Sequence, residues 1–328
     1  MPSRLQAHVE YVTDPEASPD PIGFVLDALA QPGTLLVLAL GLVVVLAGLL
    51  AWARVRPMEE PRLRFVERAK TYTEYLPWIV RLSVGLVVIG AGLARVRFMP
   101  TIDSGGPFGL LLTGTGFLLL LGLAVRPAAL VALGAYLVTL AGYAELVMML
   151  DVAGALAVAA VVGPGRPSLD DLLRAAFPRG PGARAATQNL ARGGYDDVVP
   201  LLVRLGLGGA FVASGIVDKI VIYDQALAAV DMYGLTSVIP VTPELWVLGA
   251  AFLETALGVA IVLGVLTRFN AVVGFSVLTL ALFVLPDDPV IAHVGLFGLS
   301  SVLVILGGGR WSVDRALLAP LGERIRRH

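Results

Sequence analysis

The run from Gly33 to Ala53 contains no charged residue, and similar runs recur to the end of the chain. A helix needs about 20 predominantly apolar residues to cross a hydrocarbon core about 30 Å thick. Inside that core every backbone N–H and C=O must be satisfied by the segment itself, which a long apolar run without alternation does as a helix. Nine such runs can be drawn, at 33–53, 77–97, 107–125, 127–145, 149–164, 201–221, 245–266, 268–286 and 290–308. The expected fold is therefore all-α: a polytopic membrane protein of about nine transmembrane helices. Composition agrees. Of 328 residues, 57% are hydrophobic and 15% charged, against about a quarter charged in soluble proteins, and the mean hydropathy is +0.84. Five acids against Arg4 in the first 30 residues are the reverse of a basic signal-peptide start.

Charge sorts the loops by side. With the N-terminus outside, the inner segments are 54–76, the turn at 126, 166–200, the turn at 268 and 310–328; with Arg81 and Arg204 at the feet of their spans, they hold 20 of the 24 Lys and Arg residues. The outer segments hold only Arg4, Arg95, Arg97 and Lys219, against 14 acids. The positive-inside rule then predicts a cell-membrane protein with its N-terminus outside and its C-terminus cytoplasmic. Arg95 and Arg97 break that rule, and Glu145, Asp151 or the acidic N-terminal tail are their expected partners. The stretch Glu59–Tyr75 mixes Arg62, Arg64, Arg68 and Lys70 with Leu63, Phe65 and Val66, as a helix lying on the inner membrane surface would.

The absence of cysteine removes thiolate nucleophiles, iron–sulfur clusters and Cys-ligated zinc. Of three histidines only His293 lies in an apolar run. That excludes a bis-histidine haem in the isolated chain and leaves a His–Met ligation through His293 open. No metal site is expected. The net charge of −1 argues against a nucleic-acid partner.

The chain repeats itself. Arg81-x3-Gly85-x6-Gly92 matches Arg204-x3-Gly208-x6-Gly215; Gly122-x3-Arg126 matches Gly264-x3-Arg268; and Gly163 to Asp170, with Arg166 and Ser168, matches Gly307 to Asp314, with Arg310 and Ser312. The three matches fall in the same order, and the extra residues of the second copy fall in one outer loop, Tyr223–Pro243. Four spans return a chain to its starting side, so the copies are expected to be parallel four-helix bundles related by an axis along the membrane normal. At helical spacing Arg204, Gly208, Phe211, Gly215 and Lys219 share one face, and the glycines let a neighbouring helix approach closely. The outer loop, with Leu227, Val230 and Met232 before Pro240 and Pro243, is expected to form a short helix lidding the second bundle.

These residues carry a resemblance. The stretch Arg204 to Lys219, Glu254-x3-Gly258, Leu263-Gly264 to Arg268, and the Gly-Gly-Gly-Arg310 motif resemble the DoxX family of small four-helix membrane proteins. The resemblance covers about residues 200–315 well and residues 77–173 weakly, as a degenerate copy. The domain reading is an outer tail at 1–32, an N-terminal transmembrane helix with an inner amphipathic segment at 33–76, a degenerate DoxX-like unit at 77–175, an inner linker at 176–199 and a DoxX-like unit at 200–320. The resemblance implies a four-helix unit associated with membrane redox systems, including subunits linked to quinone and sulfur-compound oxidation. It fixes no reaction, because fold does not determine function.

Polar side chains within a membrane are costly and are functional candidates by default. Three stand out in the second copy: Lys219 near the outer end of its span, Glu254 near mid-bilayer, and His293 just inside the last span. Their first-copy positions read as Val96, Leu112 and Asp151. Lys219 is one of only two lysines against 22 arginines, and lysine is the cation whose protonation responds to burial; alternatively it reaches out to the membrane surface. Asp218 is not expected to pair with it, since adjacent helical residues do not face each other. Glu254 is either neutral or paired with a cation. The candidate catalytic residues are thus Glu254, Lys219 and His293, and the candidate cofactor-binding residues are Lys219, His293 and Arg204. Two functions follow. One is a membrane subunit of a quinone-linked redox system, with a quinone as candidate cofactor, Lys219 and His293 as donors and Glu254 moving a proton. The other is a non-catalytic membrane scaffold for another protein complex; a proton-coupled transporter is the weaker third. The expected partners are membrane lipid and a protein partner or a second copy of the chain.

Overall fold

The computed structural model of the chain describes residues 18–31, 33–41, 43, 47, 59–177, 194–285 and 290–318. Each apolar run expected from residue 77 onward coincides with a helix whose ends lie within a few residues of the expected ones. In chain order the helices are α1 (Pro21–Ala30), α2 (Glu59–Lys70), α3 (Leu76–Ala94), α4 (Gly105–Leu121), α5 (Val125–Gly142), α6 (Leu150–Val162), α7 (Leu169–Ala176), α8 (Gly194–Ala213), α9 (Tyr223–Met232), α10 (Pro243–Leu263), α11 (Thr267–Val284) and α12 (Val290–Leu306). A 3-10 segment, Ala144–Met149, leads into α6, and a π-helical segment, Ser214–Val221, continues α8. The one departure from helix among the described residues is a two-stranded antiparallel ribbon, β1 (Val96–Arg97) with β2 (Met99–Asp103), joined at Phe98.

Among the described residues six helical stretches are long and apolar enough to cross a membrane: Thr73–Ala94, Val125–Gly142, Ala144–Val162, Asp197–Val221, Pro243–Leu263 and Thr267–Val284. The apolar helices α4 and α12 are shorter, and α1 with Thr34–Gly41 forms a sharply bent pair that would make a seventh span if counted as one. The expected first span, 33–53, lies largely outside the described residues, as does most of the linker 176–199. The chain is thus a helical, multi-pass membrane protein. Large apolar side chains such as Phe252, Phe283 and Leu110 stand exposed on its surface, as lipid-facing positions require.

Glycine decides how the helices meet. In the first half α3 packs on α4 where Gly85 faces Gly116 and Leu120, and in the second half α8 packs on α10 where Gly208 faces Gly258 and Val262. Further along, Gly92 meets Gly109 and Thr113, and Gly215 meets Ala251 and Thr255. The halves join through α6 with α8 and α3 with α12. At the first seam Gly154 and Gly206 are so close that a Cβ on either would lie 2.7 Å from the other's Cα. At the second, Gly298 gives room to Ser83. Backbones this close bring dispersion contacts that lipid chains do not offer.

The turns between α4 and α5 and between α10 and α11 are built alike. Gly122 (φ 73°) and Gly264 (φ 71°) end their helices in the left-handed conformation, and the next N–H groups, Leu123 and Val265, reach back to Leu118 and Ala260. That is the Schellman ending. Two residues on, Ala124 (φ 50°) and Leu266 (φ 43°) are also left-handed, which costs a residue with a Cβ about 1–2 kcal/mol. A carboxylate offsets that strain in each turn. Asp170 accepts from Ala124 N–H at 3.1–3.2 Å, and Asp314 accepts from Leu266 N–H at 2.6 Å and from the Thr267 N–H and hydroxyl at 2.8 and 2.7 Å.

Ser18 to Ala30, part of the expected outer tail, are packed on the second half. Asp20 caps α1 and Pro21 opens it. The Phe24 ring stacks on Tyr223 with centroids 4.3 Å apart. Ser18 donates its N–H to Val221 O and accepts from Asp224 N–H. The outer loop does form the expected short helix, α9. Together α1 and α9 enclose a small apolar core of Phe24, Val230, Leu235 and Val247 beside the start of α10.

Candidate functional site

Lys219 lies in the π-helical segment. Its Nζ is 3.0 Å from Glu254 Oε2 on α10, 2.9 Å from Asp218 Oδ2 and 3.3 Å from Ser214 Oγ. The side chains of Lys219 and Glu254 are 16% and 18% exposed, so the ion pair is largely shielded and stronger than a surface pair. Glu254 Oε2 is buried and, despite that short approach, receives no hydrogen bond of ordinary geometry. Asp218 is 43% exposed and opens the cluster toward the surrounding medium. One ammonium thus lies between two carboxylates.

The expected contact of Lys219 with Glu254 is therefore present, and the expected exclusion of Asp218 is overturned. That exclusion assumed α-helical spacing. Gly208, Phe211 and Gly215 do follow it onto the face that meets the bundle. From Ser214 the helix widens into a π turn, which shifts the facing of every later side chain, and the Lys219 side chain reaches its own neighbour. Single-sequence periodicity carries no signal for such a widening. Ser214 was missed for the same reason.

His293 lies in the first turn of α12 and is half-buried; the partners of Lys219 are Ser214, Asp218 and Glu254, and His293 is not among them. Arg204, the third cofactor-binding candidate, is fifteen residues from Lys219, about 20 Å along the helix, and belongs to the opposite end of the molecule. It is buried, and its guanidinium donates to Ile261 O at 3.0 Å, to Gly308 O and Trp311 O at 2.9 Å each, and to Val262 O. The bonds to Ile261 and Val262 cap the carbonyl end of α10, an architectural task. Among the described residues no group of three or more His, Asp or Glu could hold a metal ion. Arg97, expected to pair with an acid, sits over the Phe108 ring at 5.1 Å, and Asp151 is not its partner: Asp151 Oδ2 has no hydrogen-bond partner.

An apolar groove of about 460 Å³ is lined by Val147, Leu150, Gly209, Ile216, Val259 and Leu263 among others. It lies where the 3-10 segment of the first half meets α8 and α10 of the second.

Close-packed apolar helices around a shielded ion pair define an integral membrane protein of the multi-pass class. Residues 199–287, from within α8 to just beyond α11, match the DoxX family model. No curated protein and no solved structure matches the chain.

Proposed function

We propose that the chain is a DoxX-type membrane subunit serving a quinone-linked redox system, and that its second half is the working half. The observation that carries this reading is the shielded Lys219–Glu254 contact at 3.0 Å, beside Asp218, inside an otherwise apolar pair of helices. Quinone reduction consumes protons as well as electrons, and Glu254 is the group placed to supply or accept them. The chain has no cysteine, so electrons come from a partner or a bound cofactor. The apolar groove suits an isoprenoid tail. One observation favours a second reading, a non-catalytic membrane scaffold: Ser214, Asp218 and Glu254 already engage the ammonium of Lys219.

Purification in mild detergent, followed by an optical spectrum and lipid extraction, separates the two. Stoichiometric quinone, lost in Lys219→Met, supports the redox reading. A quinone-free, colourless protein that co-purifies with another complex supports the scaffold.

The same reading includes nine spans in tandem four-helix units within the cell membrane, N-terminus outside and C-terminus inside. In its support, the matched turns, the matched glycine contacts and the two seams repeat each other. Gly154 against Gly206 and Gly298 against Ser83 are equivalent pairs under this repeat. Under this repeat Met149 would correspond to His293, and Gly295 to Asp151. Single cysteines at Ser3 and Arg326, probed with an impermeant thiol reagent, should react from opposite sides of the membrane. Labelling from one side would reject the topology.

A further inference from the structure

We propose that Asp151 is a proton-binding site on the seam between the two halves of the molecule. This site is separate from the Lys219 cluster and does not depend on its role.

Asp151 opens α6, and its side chain points across the seam at α12. The residue is 2% exposed. Its Oδ2 is buried without a hydrogen-bond partner and lies so near Gly295 that a Cβ there would come within 2.5 Å of it, with Val87 of α3 beyond. Glycine at 295 is thus what makes room for the carboxyl. Asp151 stands eleven residues before the end of α6 at Val162, about 16 Å along the axis, and Gly295 stands eleven before the end of α12 at Leu306. Half of a hydrocarbon core is about 15 Å. The carboxyl is therefore near mid-membrane, within the candidate span Ala144–Val162.

The backbone N–H groups of Asp151 and Val152 are the donors beside it, and among the described residues no cationic side chain contacts it. Of the helices packed on α6, α5 presents Tyr136, in electrostatic contact with Asp151 but donating its hydroxyl to Leu146 O at 2.9 Å. Arg81 of α3 and Arg204 of α8 lie toward the other end of their helices and donate to backbone carbonyls there. His293 of α12 is two residues from Gly295, on another face of that helix. The preceding 3-10 segment carries Glu145, and the π segment carries the paired Asp218 and Lys219. A charged, incompletely bonded carboxylate is strongly disfavoured in such a place, whereas the neutral acid carries a hydrogen on Oδ2. The closed seam therefore holds one proton. Any motion that parts α6 from α12 and admits water allows its release, and by reciprocity acidity favours the closed seam.

The test is infrared spectroscopy of the full-length protein in lipid nanodiscs. At neutral pH the wild type should show a protonated-carboxyl C=O band that shifts in D2O and shifts again when aspartate carboxyls carry carbon-13. Asp151→Asn should remove the band and Glu254→Gln should leave it. Gly295→Ala, which crowds Oδ2, should move its frequency. If Asp151→Asn fails to fold, the aspartate labelling of the wild type decides alone. A band that is absent, insensitive to aspartate labelling, or still present in Asp151→Asn overturns the proposal, as does an unshifted band in Gly295→Ala.

Discussion

The two halves of this molecule share a frame and differ in how completely its polar groups are used. In the second half, Arg204 makes four hydrogen bonds to carbonyls, Arg268 bonds Val304 O and Ile305 O, and Asp314 accepts three hydrogen bonds. In the first half, Arg81 bonds Pro167 O while its Nε and Nη1 stay buried without partners; Arg126 Nε is likewise unpartnered, and Asp170 accepts from one N–H. Where the second half places Lys219 and Glu254, the first has Val96 and Leu112. Glycine contacts and left-handed turns hold the backbone alike in both halves.

That contrast can be broken at the arginines. Arg204→Gln leaves four carbonyls without their donors, two at the end of α10 and two after α12, and is expected to cost about 3 kcal/mol or more, whereas Arg81→Gln, which also removes two unsatisfied nitrogens, should cost about half as much. Thermal unfolding in matched nanodiscs measures both. Equal losses would show that the two halves depend on their arginines alike.

The turns sharpen it. Asp314→Ala should cost about 2 kcal/mol and Asp170→Ala about 1 kcal/mol, in proportion to the N–H and O–H groups each leaves unsatisfied. The reverse order would contradict the bonding described. At the same turns Ala124→Gly and Leu266→Gly should each raise stability slightly, by under about 1 kcal/mol, because glycine adopts positive φ without strain while adding some entropy to the unfolded chain. Losses at both sites would mean that neither turn is strained.

Much of this frame was legible beforehand, and the reasons are physical. Apolar runs long enough to span a membrane admit helix alone, so the helices from residue 77 onward could be placed. Repeated spacing of Arg81, Gly85 and Gly92 with Arg204, Gly208 and Gly215 identified faces that do meet neighbours. Lys219 and Glu254 could be paired because few intramembrane charges were available to satisfy one another. The contribution of Asp218 could not be read, since it depends on a π turn that leaves α-helical spacing only after Gly215. Nor could the packing of Ser18 to Ala30 over α9, which depends on a stack between Phe24 and Tyr223, 199 positions apart in the sequence. Arg204 looked like a ligand-binding cation because its carbonyl partners, at Ile261, Gly308 and Trp311, are distant in sequence. The place of Asp151 at the seam could not be read, since it depends on α6 meeting α12 at Gly295, 144 positions away in the sequence.

The central claim is that the second half retains a coupled ion pair which the first half lacks. A double-mutant cycle on Lys219 and Glu254 in nanodiscs tests it most directly. Lys219→Met should lower stability by about 3–5 kcal/mol, since it strands the Glu254 charge in a shielded site; Glu254→Gln, which leaves Lys219 its contact with Asp218 at 2.9 Å, should cost less, and the double variant should lose clearly less than the sum. Val96→Met, the corresponding change in the first half, should be close to neutral. Additive losses at Lys219 and Glu254 would show that the two charges do not interact and would contradict the account.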